Sequence, residues 1–233
     1  HQILWVRFSI SLLTILVFFH LYKLRVKKLQ NQQKVLEREV DDRTIELRSK
    51  NDELIEKNKE IEHLANHDAL TSLPTLRLCL DRIENAIKKA TRTNEKLALL
   101  YLDLDGFKAV NDTFGHEAGD EILKFASSKM LSCVRECDTV ARIGGDEFLI
   151  ILSEVNDIAD IQKTCERLIN TIDTPYLYDD KNLTVGISIG ASIFPTDGED
   201  SESLKNKADE MMYKVKKSGK NNYLISTMNK VSS

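Results

Sequence analysis

From residue 24 to residue 65 the sequence contains no glycine and no proline. Without the two residues that most readily break or redirect a backbone, a loop or a set of short strands is excluded there. Cysteine is scarce and unpaired: Cys79, Cys133, Cys137 and Cys165 form no CxxC pair and have no histidine at metal-ligand spacing. A disulfide framework and a zinc centre are set aside, and the four read as reduced packing residues of a reducing compartment. Basic excess is lacking too. A net charge of -4 argues against a general nucleic-acid binder, whose footprint is basic. The first residue is His1 and not Met, which points to a piece of a longer protein.

What is present divides the 233 residues into unlike parts. Residues 8–22, FSISLLTILVFFHLY, carry no charge, and Arg7 is the sole charge before Lys23. A spanning helix needs roughly twenty apolar residues, which 3–22 supplies if Arg7 reaches the far interface. The flank then turns basic with Lys23, Arg25, Lys27 and Lys28, which places that end in the cytoplasm by the positive-inside tendency. Residues 1–22 are therefore expected to be a transmembrane helix of the inner membrane, with the following domain cytoplasmic. Residues 23–66 are dense in charge, and Val40, Leu47, Leu54 and Ile61 recur every seven residues. With these at d, Asn51 and Asn58 fall at a, a choice that favours a parallel, in-register dimer. A polar helix this long needs a partner, so a dimeric coiled coil is expected.

The globular part is expected over 67–226, with a tail at 227–233. Residues 75–92, 116–135, 157–173 and 203–219 read as helices. KLALLYLDLD (96–105), TVARIG (139–144), EFLIIL (147–152), LTVGISIGASIF (183–194) and NYLIS (222–226) read as strands. Strands separated by helices, with one tight hairpin, indicate an α/β fold with a mixed, largely antiparallel sheet flanked by helices.

Two acids close one strand and two more leave the hairpin. Asp103 and Asp105 end a buried strand and alternation sends them to one face. Gly144 and Gly145 form the hairpin turn, where a primed turn needs positive φ, and glycine lets a backbone approach a bulky ligand. Asp146 and Glu147 then emerge together, and neighbouring carboxylates ionise cheaply only around a cation. Such a set suits Mg²⁺, which completes its shell with water and phosphate, and two metals held by carboxylates serve attack on a nucleotide phosphate. Taken alone these short acid motifs are weak, since acids at strand ends are often merely solvated.

RIGGDEF (142–148), DLDGFKAVNDTFGHEAGDEIL (103–123), ADEMMYKVKKSGKN (208–221) and HDALTSLP (67–74) together resemble the GGDEF domain, the diguanylate cyclase family, in order and over about 67–225. The resemblance implies a palm-like domain that condenses two GTP into cyclic di-GMP and two pyrophosphates across a homodimer. It implies Mg²⁺ or Mn²⁺, two per active site, held by Asp103, the carbonyl of Leu104, Asp146 and Glu147. Asp146 is then the base for the 3′-hydroxyl, a role it can share with Glu147 as the catalytic pair. Asn111 and Asp120 would read guanine, His116, Gly144 and Gly145 would line the nucleotide pocket, and Lys108, Lys216 and Lys220 would neutralise the triphosphate. Many relatives have arginine at the Lys220 position, so a forked contact becomes a point charge.

RECD (135–138) matches the family's RxxD inhibitory motif, which implies product binding by Arg135, Asp138 and Arg167. The plain alternative for Arg135 and Asp138 is a surface ion pair closing a helix-to-strand turn. The opening motif departs from the family: Ser72, Thr75 and Leu76 stand where relatives usually have a glycine and an Asn-Arg pair. That puts coupling between signal and catalysis in question more than it does metal binding. The rival reading from another class is a catalytically silent receptor for GTP or cyclic di-GMP, and a second is a palm-like enzyme using ATP.

Overall fold

A computed structural model describes residues 2–226, with side chains from residue 12 onward. The chain resolves into two units, residues 1–60 and 61–233. The first is helical. Helix α1 (Gln2–Asn66) begins there and ends inside the second unit. Its surface carries exposed pairs one turn apart, Arg43–Glu46–Lys50 and Glu53–Lys57, which solvent screens. Val40, Leu47, Leu54 and Ile61 are all more than half exposed. The membrane span expected over 1–22 lies partly outside the residues with described side chains. Among the described residues no helix is long and apolar enough to cross a membrane. The apolar stretch described there, 12–22, is shorter than the roughly twenty residues a bilayer core asks for. The expected tail at 227–233 lies outside the described residues.

The second unit is an α/β sandwich. In chain order it runs α2 (Leu76–Thr93), β1 (Lys96–Asp105), α3 (Phe107–Phe114), α4 (His116–Ser132), β2 (Thr139–Gly144) and β3 (Glu147–Val155). Then follow α5 (Ile158–Ile172), β4 (Tyr176–Tyr178), β5 (Lys181–Leu183), β6 (Gly186–Phe194), α6 (Ser201–Lys217) and β7 (Tyr223–Ile225). The main sheet has the order β2-β3-β1-β6-β7. Pairing is antiparallel except for β6–β7, which α6 connects as a crossover. The expected mixed, largely antiparallel sheet is what the chain forms.

β1 lies at the centre, buried on both faces, because its apolar run leaves neither face polar. Ala98, Leu100, Leu102 and Leu104 join Phe148, Ile150, Ile122 and Ile161 in the core beneath α4 and α5. Leu97, Leu99 and Tyr101 pack with Leu149, Ile83, Ala208 and Met212 beneath α2 and α6. Alternation carries the second face onward to Asp103 and Asp105, so the strand that builds the core also delivers its terminal acids to the α6 side.

Two elements depart from expectation. Residues 107–114 form a separate helix, cut off between Gly106 and Gly115. The strand expected over 183–194 breaks at 184–185, and its first residue belongs to a small β4–β5 ribbon.

Candidate active site

Asp103 is 6% exposed and sits opposite Glu147 of β3 on one side and Ser188 of β6 on the other. Lys216, from the last turn of α6, places its ammonium 2.5 Å from Asp103 Oδ2. Burial pushes the Asp103 carboxyl up to about 6, with the charges of Asp146 and Asp105 adding to the rise and Lys216 opposing it. A buried carboxylate among like charges is held ionised by a nearby cation, and here the lysine supplies one. Glu147 Oε1 accepts a hydrogen bond from the Tyr101 hydroxyl at 3.2 Å. Burial, followed by the charge of Glu147, raises the Tyr101 phenol, so it stays a donor.

The hairpin turn is displaced by one residue from expectation. Its central pair is Gly145 and Asp146, with Gly144 paired to Glu147, and Gly145 takes φ +50. A β-carbon at Gly144 or Gly145 would meet nothing within 4 Å, so the backbone there lies open to a bulky ligand. Asp146 is anchored through its carbonyl, which accepts from the Leu104 N–H at 3.1 Å. Arg142 locks the turn from behind: its Nε and Nη2 donate to the Gly145 carbonyl at 3.0 and 2.9 Å, and Nη1 donates to Asp68 at 2.9 Å.

Asp103 and Glu147 share a face and Asp146 is near enough to raise Asp103, yet the three do not close around a point. Among the described residues no three His, Cys, Asp or Glu side chains form a ready metal cluster. In this arrangement the Lys216 ammonium stands at Asp103. The donor set still fits a hard divalent cation: oxygen ligands alone, one of them with its pKa raised by burial and then by neighbouring acids.

The residues expected to read guanine come together on α3 and α4. The Asn111 side chain lies against Gly119, where a β-carbon would come within 1.9 Å of Asn111 Oδ1, and Asp120 is the next residue, exposed. Lys108 and His116 are exposed on the same two helices. Lys220 is exposed in the turn after α6, and Lys217 stacks over Tyr213 at 4.4 Å, leaving Lys216 as the lysine that faces the acids.

Arg135, Asp138 and Arg167 meet around a separate cavity of about 300 Å³, joined by Lys163, Thr164 and Ser153. Asp138 is not ion-paired to the Arg135 side chain. It accepts instead from the Arg135 and Ser153 backbone N–H groups at 2.9 and 3.0 Å. Arg167 donates to the Cys133 carbonyl through Nε and Nη2. Both residues therefore shape the cavity wall. The sequence reading missed Tyr101 and Asp68. A hydroxyl at two-residue spacing before Asp103 was the available signal for Tyr101; nothing local marks Asp68 as the partner of Arg142.

The central strand that ends in acids thus meets the glycine hairpin at Asp103 and Glu147, with Lys216 of α6 on Asp103. The sequence profile described as "Diguanylate cyclase, GGDEF domain" matches residues 65–222, and the chain belongs to that family. It is 41% identical over 174 residues to the bifunctional diguanylate cyclase/cyclic di-GMP phosphodiesterase MucR of Pseudomonas aeruginosa, covering 74% of this chain and 25% of that protein. The chain thus spans about a quarter of MucR's length. The GGDEF domain of PA1120 (TpbB or YfiN) from the same species superposes with a TM-score of 0.68 at 32% identity, covering 70% of this chain and 95% of that one. The P. aeruginosa diguanylate cyclase SiaD, solved with its activator SiaC, gives 0.66 at 26% identity, covering 94% and 84%.

Proposed function

We propose that this chain is a diguanylate cyclase, converting two GTP into cyclic di-GMP and two pyrophosphates across a homodimer. The observation that carries the reading is Asp103: a buried carboxylate with a raised pKa, opposite Glu147, beside the open Gly145 turn, with a lysine ammonium at 2.5 Å. Such a group has little structural value of its own, and a perturbed acid in a cleft is a mark of a working site. Asn111 and Asp120 take the guanine edge. Asp is an acceptor for the ring N–H and exocyclic amine, and Asn both donates and accepts.

Lys108, Lys216 and Lys220 hold the triphosphate. Lys216 exchanges Asp103 for phosphate oxygen as the nucleotide arrives. Asp146 then accepts the proton of the 3′-hydroxyl as that oxygen bonds the α-phosphorus of the GTP on the facing domain. The bond from that phosphorus to the bridging oxygen of the β-phosphate breaks, and pyrophosphate leaves. The second, symmetric attack closes the ring. Mg²⁺, held by Asp103, the Leu104 carbonyl, Asp146 and Glu147, would supply charge for the leaving pyrophosphate and acidity for the hydroxyl.

The cavity at Arg135 supports product inhibition, with the guanidinium of Arg135 as the clamp for guanine and phosphate. The seven-residue repeat on α1 supports a parallel homodimer, and the apolar residues 8–22 with their basic flank support anchorage in the inner membrane, the domain facing the cytoplasm. The same cavity favours one rival, a receptor that binds cyclic di-GMP without making it. Incubating the full chain with GTP and Mg²⁺, and detecting cyclic di-GMP by mass, separates the two. Product from the wild type and none from Asp146→Ala supports the cyclase. No product, with cyclic di-GMP binding that Arg135→Ala abolishes, favours the receptor.

A further inference from the structure

β1 ends in two acids on one face, and only Asp103 has a part in the chemistry above. Asp105 Oδ2 accepts from the Ser188 hydroxyl at 2.7 Å and from the Asn221 backbone N–H at 2.9 Å. Its Oδ1 is buried and has no hydrogen-bond partner. A buried acceptor left open is uncommon and asks for a reason beyond packing. The segment it holds is strained. Gly219, Lys220 and Asn221 run in succession at φ +127, +65 and +44, and two of the three are not glycine. Such a run persists only where its surroundings over-determine it. Three bonds do so here: the Lys220 N–H donates to the Val215 carbonyl at 3.2 Å, Asp105 takes the Asn221 N–H, and Asn221 Oδ1 takes the Ile187 N–H at 3.2 Å.

The turn carries Lys220, and it directly follows the helix end that carries Lys216. We propose that Asp105 is a positioning residue for polyphosphate recognition. By pinning the 219–221 turn to the end of β1 it fixes where Lys220 stands beneath the nucleotide, without touching the nucleotide itself. This rests on the nucleotide-binding reading above. The two terminal acids of β1 then divide the labour: Asp103 meets the Lys216 ammonium and the reacting centre, while Asp105 holds the backbone from which the second lysine projects.

A residue that merely stabilised the domain would weaken every nucleotide alike. A residue that aims Lys220 weakens only ligands with phosphates beyond the first. Calorimetry on the full chain, with GMP and with the α,β-methylene analogue of GTP, both in Mg²⁺, tells these apart. Asp105→Ala should weaken the triphosphate analogue by about tenfold, the scale of a lost charge-assisted contact, and leave GMP unchanged. Asp105→Asn keeps one acceptor for the Asn221 N–H and should recover most of that loss. If Asp105→Ala fails to fold, Asn221→Ala releases the same turn from another of its anchors and should give the same selective loss. Equal weakening of both ligands, or of neither, overturns the positioning role while leaving nucleotide binding intact. A wild type that binds neither ligand overturns both readings.

Discussion

At Asp103 two demands oppose each other. The site needs an ionised carboxylate, and the fold would rather have a neutral one. Its folded pKa of about 6 lies above the ordinary 3.8. Its contribution to stability is therefore full below the ordinary value and is lost as pH rises through about 6. Asp103→Asn should accordingly stabilise the chain near pH 7.5, by at most about 3 kcal/mol for a shift of roughly two units, and by about half as much near pH 5. Thermal unfolding at the two pH values measures it, and an equal effect at both would contradict the cause assigned here. The same variant should make no cyclic di-GMP. Ser72 offers a second case. It takes φ +59 where relatives usually have glycine, with its N–H on the Asp68 carbonyl at 2.8 Å. Ser72→Gly should gain about 0.5–1 kcal/mol by removing that strain, read as a small rise in Tm.

At the scale of elements, the hairpin is only as well placed as Arg142 holds it. Its guanidinium joins the Gly145 carbonyl to Asp68, and its own N–H donates to the Pro74 carbonyl at 3.0 Å. The pair is mostly buried, at 13% and 25% exposure. Burial pushes the Asp68 carboxyl up, but hydrogen bonds from Thr71 and Arg142 outweigh it and hold the group below its ordinary value. The contact thus stabilises above the ordinary carboxyl pKa and fades only as pH falls beneath it. Asp68→Asn should cost about 1–3 kcal/mol from neutral pH down to about pH 5, and the cost should shrink only in stronger acid. Arg142→Lys, which cannot make the forked bond, should lower turnover by up to about 100-fold, the scale of a 1 Å misplacement of Asp146, while nucleotide affinity stays near wild type.

Elements with a strong period were legible in the sequence. β1 spans Lys96–Asp105 as read, and alternation along it puts Asp103 and Asp105 on one face. The helix over 107–114 was not legible, because eight residues between two glycines give barely two turns of pattern. The β4–β5 ribbon escaped for the same reason, with three-residue strands joined by Asp179 and Asp180 in left-handed conformation. The hairpin slipped by one residue because two adjacent glycines satisfy either register locally, and the pairing with β3 decides between them. Tyr101 was hidden inside an apolar run, and its hydroxyl acquires meaning only when β3 brings Glu147 opposite Asp103.

For the whole molecule, the proposed chemistry sets a requirement that one domain cannot meet, since each GTP is attacked by the other. Val40, Leu47, Leu54 and Ile61 repeat along α1 and are more than half exposed, the side chains that the proposed parallel dimer would bury. A dimer raises the effective concentration of facing half-sites to about the millimolar range, against micromolar protein in an assay. Leu47→Asp combined with Leu54→Asp should separate the chains, because the buried charges of two copies would face each other across the seam. Each chain should still bind GTP analogue as before. Cyclic di-GMP formation per chain should fall by about 100-fold or more at micromolar protein, and it should climb with protein concentration where the wild type shows no such climb. Sedimentation and product formation measured on the same samples settle the matter. A dissociated variant that keeps full, concentration-independent activity would show that α1 does not assemble the catalytic pair.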